Sequence, residues 1–364
     1  MVKKKRLFIV TCLDQGGLET YLLRFLKYDN HQHYNLVLCK SGLSGELEGE
    51  FMKAADEILL FPLGFFSIVD YIRFYHFLKG NKIDVICDFT GNFAGFPLWV
   101  AKIAKIEKRI TFYRGSTNHF KETFLKKLYN SIVNKLVFSF STRILSNSEA
   151  AFSNLFSHVQ RDSRFKVIYN GVDMSSFHQC SQESLKNEFG FKDMDFIIGH
   201  TGRCNEAKNH DTIMAVAEVL CKRYENIHFV LLGKGVAEKY SEFIRLKGLG
   251  KQIHCFGYRD DVLRLLPLFD VFYFPSVTEG QPNALIEAML TGLPILTSDI
   301  PPIKETVPDC MYPLLLSPCD VEQAVKTLEN LYQGTVEISA YQCRDWARER
   351  FDANKLFAEF QQEL

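Results

Sequence analysis

The chain has 364 residues, of which 47% are apolar and 24% charged, with 43 basic side chains balanced by 43 acidic ones. This length predicts about two domains with full-sized cores, and the composition excludes disordered, collagen-like and repetitive chains. No uninterrupted apolar stretch approaches the ~18 residues of a membrane span, and the basic start leads into a strand without a signal-type cleavage site, so we expect a cytoplasmic protein.

The balanced charge hides a difference between the two halves of the chain. Residues 1–180 carry 24 basic and 16 acidic side chains, whereas residues 181–364 carry 19 and 27. A basic half is typical of proteins that meet nucleic acid, a membrane surface or an anionic substrate, and composition leaves all three open. The ten cysteines include no pair closer than nine residues, which excludes CxxC redox and zinc motifs and favours reduced thiols.

Strand-like apolar runs alternate with segments of helical period, a pattern that predicts parallel sheets covered by helices. The first half contains six predicted strands, Leu7–Cys12, Asn35–Cys39, Val85–Phe89, Arg109–Tyr113, Arg143–Ser146 and Lys166–Tyr169. A second series of five follows, Phe196–Thr201, His228–Leu232, Ile253–Phe256, Val271–Phe274 and Ile295–Thr297. Predicted helices of this series are Asp211–Arg223, Ala284–Thr291 and Val321–Gln333. The fold class is therefore α/β with two doubly wound, Rossmann-like domains, a linker at residues 175–195, and a site in the cleft that their strand ends face.

The segment 124–138 has clear helical spacing within a basic environment. Its apolar positions form one stripe, Phe124, Leu125, Leu128, Tyr129, Ile132, Val133, Leu136 and Val137. Between Lys108 and Arg143, eight basic residues stand against a single acid, Glu122. We interpret the segment as a core-facing helix with a solvated basic face, as a patch that contacts anionic lipid, or as both.

The most informative motif is FPSVTEGQPNALIEAMLTGLP at residues 274–294. A strand ends near Phe274, and Pro282 suits the first position of the following helix, whose dipole and first N–H groups would form an anion site. Those N–H groups belong to Asn283, Ala284 and Leu285. Glu279 and Glu287 flank this site, which suits a ligand with phosphates in its middle and hydroxyl groups at both ends, such as a sugar nucleotide. The plainer alternative is a strand–turn–helix with surface glutamates.

A second motif, HTGRCNEAKNHD, lies upstream at residues 200–211. It places Gly202 and Arg203 directly after a strand and Lys208 five residues after Arg203. An arginine and a lysine on one loop neutralise a diphosphate leaving group without a metal ion. Such a loop is also common on solvated protein surfaces, so its interpretation as a diphosphate-binding loop depends on the carboxylate motif.

Six motifs stand in a characteristic order: QGGLET (15–20), KVIYNGVDMSSF (166–177), GRCNEAKNHD (202–211), FVLLGKG (229–235), FGYRDDV (256–262) and EGQPNALIE (279–287). With them the chain resembles a retaining glycosyltransferase of the GT-B fold, of the family 4 type that builds bacterial surface polysaccharides. The resemblance covers nearly the whole chain. It implies an acceptor-binding domain at residues 1–178, a donor-binding domain at 179–342 and a helix at 343–364 that crosses back to the first domain.

The resemblance also implies roles for individual residues. Glu287 would hold the ribose hydroxyls, Glu279 would contact the transferred sugar, and Arg203 with Lys208 would bind the diphosphate. The other implied donor contacts are Gly16, Gly17, Gly202, Gly233, Tyr258, Val262, Gly280, Gln281, Pro282, Asn283, Ala284 and Leu285. No metal ion and no cofactor are expected.

The chain departs from the family at one position. Related enzymes commonly carry a histidine where this chain has Arg114, and an arginine does not act as a base near neutral pH. We count Arg114 among the catalytic residues with Glu279, Arg203 and Lys208, and assign it and His119 to acceptor binding. The catalytic base stays unnamed, since the leaving diphosphate itself is able to take the acceptor proton.

Three other patterns are interpreted as structural. Asp193 and Asp195 resemble a metal-binding DxD motif but precede a strand within the linker, and His31 with His33 lacks further ligands. Gly233-Lys-Gly235 lacks the third glycine of a dinucleotide fingerprint. A nicotinamide enzyme is therefore disfavoured.

Together these patterns predict a metal-independent, retaining transfer of a hexose or N-acetylhexosamine to a hydroxyl of a lipid-linked glycan. The donor is a nucleotide diphosphate sugar, with UDP favoured over GDP; a peripheral contact with an anionic membrane is expected, and nucleic acid is not. Two alternatives stay open. One is a sugar-nucleotide epimerase or a phosphorylase on the same fold, and the other is a non-catalytic subunit that binds a glycan or a nucleotide sugar.

Overall fold

A computed structural model of the chain describes residues 3–64, 67–114, 124–156, 159–174, 177, 180–336 and 340–364, without the side chains of residues 124–129 and 341. His119 lies outside the described residues. The chain forms two compact units. Unit 1 consists of Met1–Gly171 and Asn354–Leu364, and unit 2 of Val172–Ala353. The units thus divide earlier than residue 178, and the chain returns to unit 1 later than residue 343.

Unit 1 is built on a seven-stranded parallel sheet in the order β3-β2-β1-β4-β5-β6-β7. Its strands are β1 Lys5–Val10, β2 Tyr34–Cys39, β3 Glu57–Leu60, β4 Val85–Asp88, β5 Lys108–Tyr113, β6 Arg143–Ser146 and β7 Phe165–Val167. The helices between them are α1 Gly17–Asp29, α2 Glu48–Ala54, α3 Ile68–Asn81, α4 Gly95–Ile103, α5 Phe124–Phe140 and α6 Glu149–Leu155, with a 3₁₀ turn at Gly91–Ala94. Every residue of β4 is buried, as expected for a central strand covered on both faces.

Unit 2 is built on a five-stranded parallel sheet in the order β10-β9-β8-β11-β12. Its strands are β8 Phe196–Thr201, β9 Ile227–Leu232, β10 Ile253–Gly257, β11 Val271–Phe274 and β12 Ile295–Thr297. Its helices are α7 Gln182–Phe189, α8 His210–Arg223, α9 Val236–Lys247, α10 Val262–Leu265, α11 Asn283–Thr291, α12 Pro301–Lys304, α13 Val321–Tyr332 and α14 Ala340–Arg350. Short 3₁₀ turns lie at Glu206–Lys208, Leu266–Leu268 and Asp309–Leu314. The order changes direction at β8 and β11, so the loops after these two strands are adjacent.

Four predictions about the fold are wrong in detail. Strand β3 was not predicted, and unlike β12 it contains no buried residue. The predicted linker contains α7, a helix whose start is capped by the side chain of Ser181. The predicted terminal helix is two helices, α14 and α15 (Ala353–Glu363). Between them, the Phe351 carbonyl accepts a hydrogen bond from the amide of Val172, a residue that belongs to no helix.

The fourth concerns α5, which forms as predicted but with a different apolar face. Val133 and Val137 are fully buried, whereas Ile132 is 46% exposed. The buried stripe is therefore narrower than the predicted one. Lys135 is exposed, in keeping with the predicted basic face.

Helix α15 belongs to unit 1, where it completes an aromatic cluster. The Phe360 ring lies 4.7 Å from that of Phe25 and 5.3 Å from that of Phe112. Phe357 contacts Tyr21 at 5.5 Å. In the described ranges, none of the helices has the length and apolar character needed to cross a bilayer.

Candidate active site

The loop after β8 carries the predicted diphosphate-binding residues and packs tightly on the loop after β9. The Gly202 amide donates to the Leu232 carbonyl at 2.8 Å, and the Gly233 amide donates to Gly257 at 2.7 Å. A Cβ at Gly233 would overlap the Gly202 carbonyl oxygen. The structure thus gives Gly233 a packing role, holding the two loops together, beside the donor contact predicted for it.

The loop after β11 leads into α11, which carries the carboxylate motif. Pro282 is not the first helical residue as predicted but the N-cap; its backbone is extended and its carbonyl accepts from the Ile286 amide. The helix begins at Asn283 and receives no hydrogen bond from the side chain of its N-cap residue. Its first turn therefore retains the polarity that binds anions. Glu287 lies one turn further along and is half-buried.

Two hydrogen bonds join the loop after β8 to the loop after β11. The Val277 amide donates to the Ala207 carbonyl at 2.9 Å, and Asn209 Nδ2 donates to the Pro275 carbonyl at 3.1 Å. Asn209 has a left-handed backbone, which asparagine tolerates, and also donates to the Pro318 carbonyl at 2.8 Å. The two motifs predicted separately are thus held as one structure.

The same two loops contribute an ion pair. Lys208 Nζ lies 2.6 Å from Glu279 Oε1, and the two side chains are only 18% and 10% exposed. The ammonium group also lies 4.6 Å from the centroid of the Phe274 ring, a cation–π contact. The sequence assigned Lys208 to the diphosphate and Glu279 to the sugar, and the structure shows that the two side chains contact each other.

Arg203, Tyr258 and Val262 lie at the edge of this site. Arg203 is exposed and makes no ion pair within the described part of the chain. Tyr258 follows β10 and is 54% exposed, and Val262 opens α10. Arg203 thus presents a cation at the carboxyl edge of this sheet.

Two buried histidines lie beside the loop after β8. His200 Nδ1 bonds to the Tyr273 carbonyl at 2.9 Å, and its ring lies 4.9 Å from that of His210. Burial lowers the pKa of His200 well below its ordinary value and that of His210 to about 4, with further lowering by Lys208. Both rings are therefore neutral at physiological pH, and they add no charge next to the lysine.

The predicted residues of unit 1 lie at the carboxyl edge of its own sheet. Gly17 opens α1 and Gly16 precedes it, with the Glu19 carboxylate where a Gly16 Cβ would be. Arg114 directly follows β5, and its guanidinium carbon lies 3.7 Å from the centroid of the Tyr21 ring. Because Gly16 has no side chain, the carboxylate of Glu19 fits beside it.

Sequence reasoning missed Asn209 and the histidine pair. A signal for Asn209 was present in part, since asparagine before a helix is a common capping residue, but its bonds to two other loops have no local signature. Over the described ranges, no group of three or more His, Cys, Asp or Glu side chains is arranged to hold a metal ion. All ten cysteines are free thiols.

Two parallel α/β sheets, with a basic and a carboxylate loop joined at the carboxyl edge of the second, have the fold of the GT-B glycosyltransferases. The family model "Glycosyltransferase Family 4" matches residues 15–176, and "Glycosyl transferases group 1" matches residues 181–350. The chain belongs to the family 4 type of these glycosyltransferases.

Individual relatives agree with this assignment. The capsular polysaccharide biosynthesis glycosyltransferase CapH of Staphylococcus aureus is 28% identical over 302 residues, which is 81% of each chain. A UDP-Gal:alpha-D-GlcNAc-diphosphoundecaprenol alpha-1,3-galactosyltransferase of Escherichia coli is 32% identical over 38% of this chain and 37% of that one. The crystal structure of Anabaena HepE in complex with UDP-glucose has the same fold, with a TM-score of 0.80 at 20% identity over 99% of this chain and 100% of HepE.

Proposed function

We propose that this protein transfers a hexose or N-acetylhexosamine from a UDP-sugar to a hydroxyl of a lipid-linked glycan, with retention of anomeric configuration and without a metal ion, during synthesis of a bacterial surface polysaccharide. The observation that carries the proposal is the Lys208–Glu279 pair beside the start of α11, whose N-cap residue is Pro282. Two relatives support the donor and acceptor classes: HepE was crystallised with UDP-glucose, and the E. coli relative is named for a UDP-galactose donor and a diphosphoundecaprenol acceptor.

The four charged residues of the candidate site each have a role in this proposal. The exposed Arg203 and the amides of α11 bind the diphosphate, where Lys208 offers further charge. Glu287 accepts hydrogen bonds from the ribose hydroxyls. Glu279, held by Lys208, accepts them from the transferred sugar. The cations neutralise the charge that develops on the leaving group, which is the task a metal ion performs in other transferases.

The proposed reaction balances without a protein base. The acceptor oxygen attacks the anomeric carbon on the face that the diphosphate leaves, the bond from that carbon to the phosphate oxygen breaks, and its electron pair stays on UDP. The β-phosphate takes the acceptor proton. Glu279 is not the nucleophile in this scheme, because its carboxylate is engaged by Lys208.

The direct test is donor binding followed by transfer. We expect UDP and UDP-sugars, rather than GDP or ADP and their sugars, to raise the melting temperature. By calorimetry, Glu287→Ala should weaken UDP binding on the order of 10- to 100-fold, since hydrogen bonds to a charged group are lost. Glu242→Ala, at an exposed position of α9, serves as the matched control.

The products then test the chemistry. Transfer should persist in EDTA, and the anomeric proton coupling of the product should match that of the donor. A strict manganese requirement or an inverted product would refute the corresponding part of the proposal. Donor turnover without any acceptor would favour an epimerase, and no turnover with any glycan would favour a binding subunit.

We further propose a peripheral contact with an anionic membrane through the basic region 108–143. Its support is α5, where Lys135 is exposed and Ile132 presents an apolar side chain to solvent. The protein should sediment with phosphatidylglycerol vesicles and not with phosphatidylcholine vesicles, and less strongly after Lys135→Glu. Equal sedimentation of the variant would exclude α5 as the contact.

A further inference from the structure

The guanidinium group of Arg114 is stacked on an aromatic surface in unit 1. Arg114 follows the last residue of β5, and its guanidinium carbon lies 3.7 Å from the Tyr21 ring centroid and 5.0 Å from that of Phe112. Both rings belong to the buried aromatic cluster that α15 completes. Stacking engages the flat face of the guanidinium and leaves its N–H groups, which point outward in its plane, to find other partners.

Two nitrogens of this guanidinium lack acceptors among the described residues. Arg114 Nε and Nη1 are buried from solvent and have no hydrogen-bond partner among the described residues. Two buried arginines of the same unit have more partners: Arg6, whose Nε is also unpartnered, pairs through Nη1 with Asp29 at 3.0 Å, and Arg109 donates to the carbonyls of residues 106, 107 and 140. Burial lowers the pKa of Arg114 to about 10, so it stays charged at neutral pH.

Glu19 raises the pKa of Arg114 through its charge, but its carboxylate lies against Gly16 at the start of α1. Arg114 is only partly exposed, and its buried Nε and Nη1 find no acceptor among the described residues. A charge that is largely removed from water and lacks acceptors is unfavourable, and a ligand anion would supply charge and acceptors together.

We propose that Arg114 binds an oxyanion carried by the ligand of unit 1, so that the acceptor bears a phosphate or a carboxylate near its reacting hydroxyl. This inference rests on the proposed function, because it names the chemical class of the acceptor. The guanidinium fork matches both oxyanions in a bidentate manner. A histidine at this position would offer one ring edge, so the arginine changes what unit 1 recognises.

The first test observes Arg114 directly in the full chain. With ¹⁵N-labelled arginine, the Nε–H resonance is assigned by its loss in Arg114→Lys. Methyl phosphate and acetate should shift it saturably, and neutral methyl glucoside should not. Arg245, which is 72% exposed, is the internal control. A resonance that no anion moves, or that moves only as Arg245 does, overturns the proposal.

The second test compares acceptors that carry a phosphate, a carboxylate or no charge. Whichever charged acceptor gives the higher rate of transfer identifies the oxyanion that Arg114 binds. Arg114→Gln should raise KM for that acceptor at least about tenfold, with KM for the UDP-sugar unchanged, and Arg114→Lys should recover part of the loss. Any of three results would overturn the proposal. Neutral and charged acceptors would be used equally well, the substitution would change KM for the donor instead, or it would lower the melting temperature with no selective change in KM. Failure of UDP to bind the wild-type chain would refute the proposed function, whereas the resonance of Arg114 reports on the oxyanion independently.

Discussion

Lys208 and Glu279 lie on the loops after two neighbouring strands of unit 2, and the atoms Nζ and Oε1 are 2.6 Å apart. Because the two side chains are largely buried, each carries a charge that is balanced mainly by the other. The contact with Lys208 holds the carboxylate of Glu279 in one place, where it is able to accept hydrogen bonds from hydroxyl groups.

A double-mutant cycle measures the coupling of this pair. Lys208→Met and Glu279→Gln should each lower the free energy of unfolding by about 1–3 kcal/mol, because each leaves a partly buried charge unpaired. The double variant should lose less than the sum of the two, as determined by urea titration. The half-exposed pair Lys304–Asp299 is the control, with an expected coupling below about 1 kcal/mol. Strictly additive losses at positions 208 and 279 would show that the contact contributes nothing.

Asn209→Gly removes the side chain that joins three loops while keeping a residue that accepts the left-handed backbone. We expect a loss of about 1–2 kcal/mol in the free energy of unfolding and weaker UDP binding by calorimetry. Asn30→Gly is the matched control, since Asn30 is also left-handed but is an exposed residue at the end of α1. Similar effects of both substitutions would argue that only backbone conformation matters.

Gly233→Ala tests the packing of the loops after β8 and β9. The added methyl group would overlap the Gly202 carbonyl oxygen, and the backbone at both glycines is fixed by hydrogen bonds. We expect a loss of about 1–3 kcal/mol by urea denaturation. Gly250→Ala adds a methyl group where no atom lies within 4 Å and should change stability little. An unchanged Gly233→Ala protein would show that the loop after β8 shifts freely.

The buried histidines predict how stability depends on pH. His210 has a pKa of about 4 in the folded chain against about 6.5 when unfolded, because burial disfavours its charged form. Between these values the unfolded chain binds a proton that the folded chain does not, so stability is full above pH 6.5 and falls as pH decreases toward 4.

From pH 7.5 to 5, this one residue should lower the free energy of unfolding by about 2 kcal/mol. His210→Phe should remove that part of the pH dependence in urea titrations at the two pH values. His76→Phe, at an exposed position on α3, should retain it. The same pH dependence in all three proteins would assign the effect to other groups.

Local pattern was a good guide to elements with a long apolar run. Strand bounds at Phe196–Thr201, Val271–Phe274 and Ile295–Thr297 are as predicted, and α8, α11 and α13 differ by one residue at an end. The sequence pattern was a poor guide where contacts with the rest of the fold decide the backbone conformation or the burial of a residue. Pro282 fits either the first position of a helix or its cap, and only the extended backbone distinguishes the two. The exposure of Ile132 likewise depends on where the neighbouring helix α4 lies, which no period along α5 encodes.

The order of motifs along the chain determined the family, the α/β class and the two loops that hold the site, because each follows from residues close together in sequence. The tertiary structure decided which side chains meet. Lys208 and Glu279 are separated by 71 positions, and Arg114 and Tyr21 by 93. Such pairs form when strands become adjacent in a sheet, so the balance between charge, burial and hydrogen bonding at each residue exists only in the folded protein.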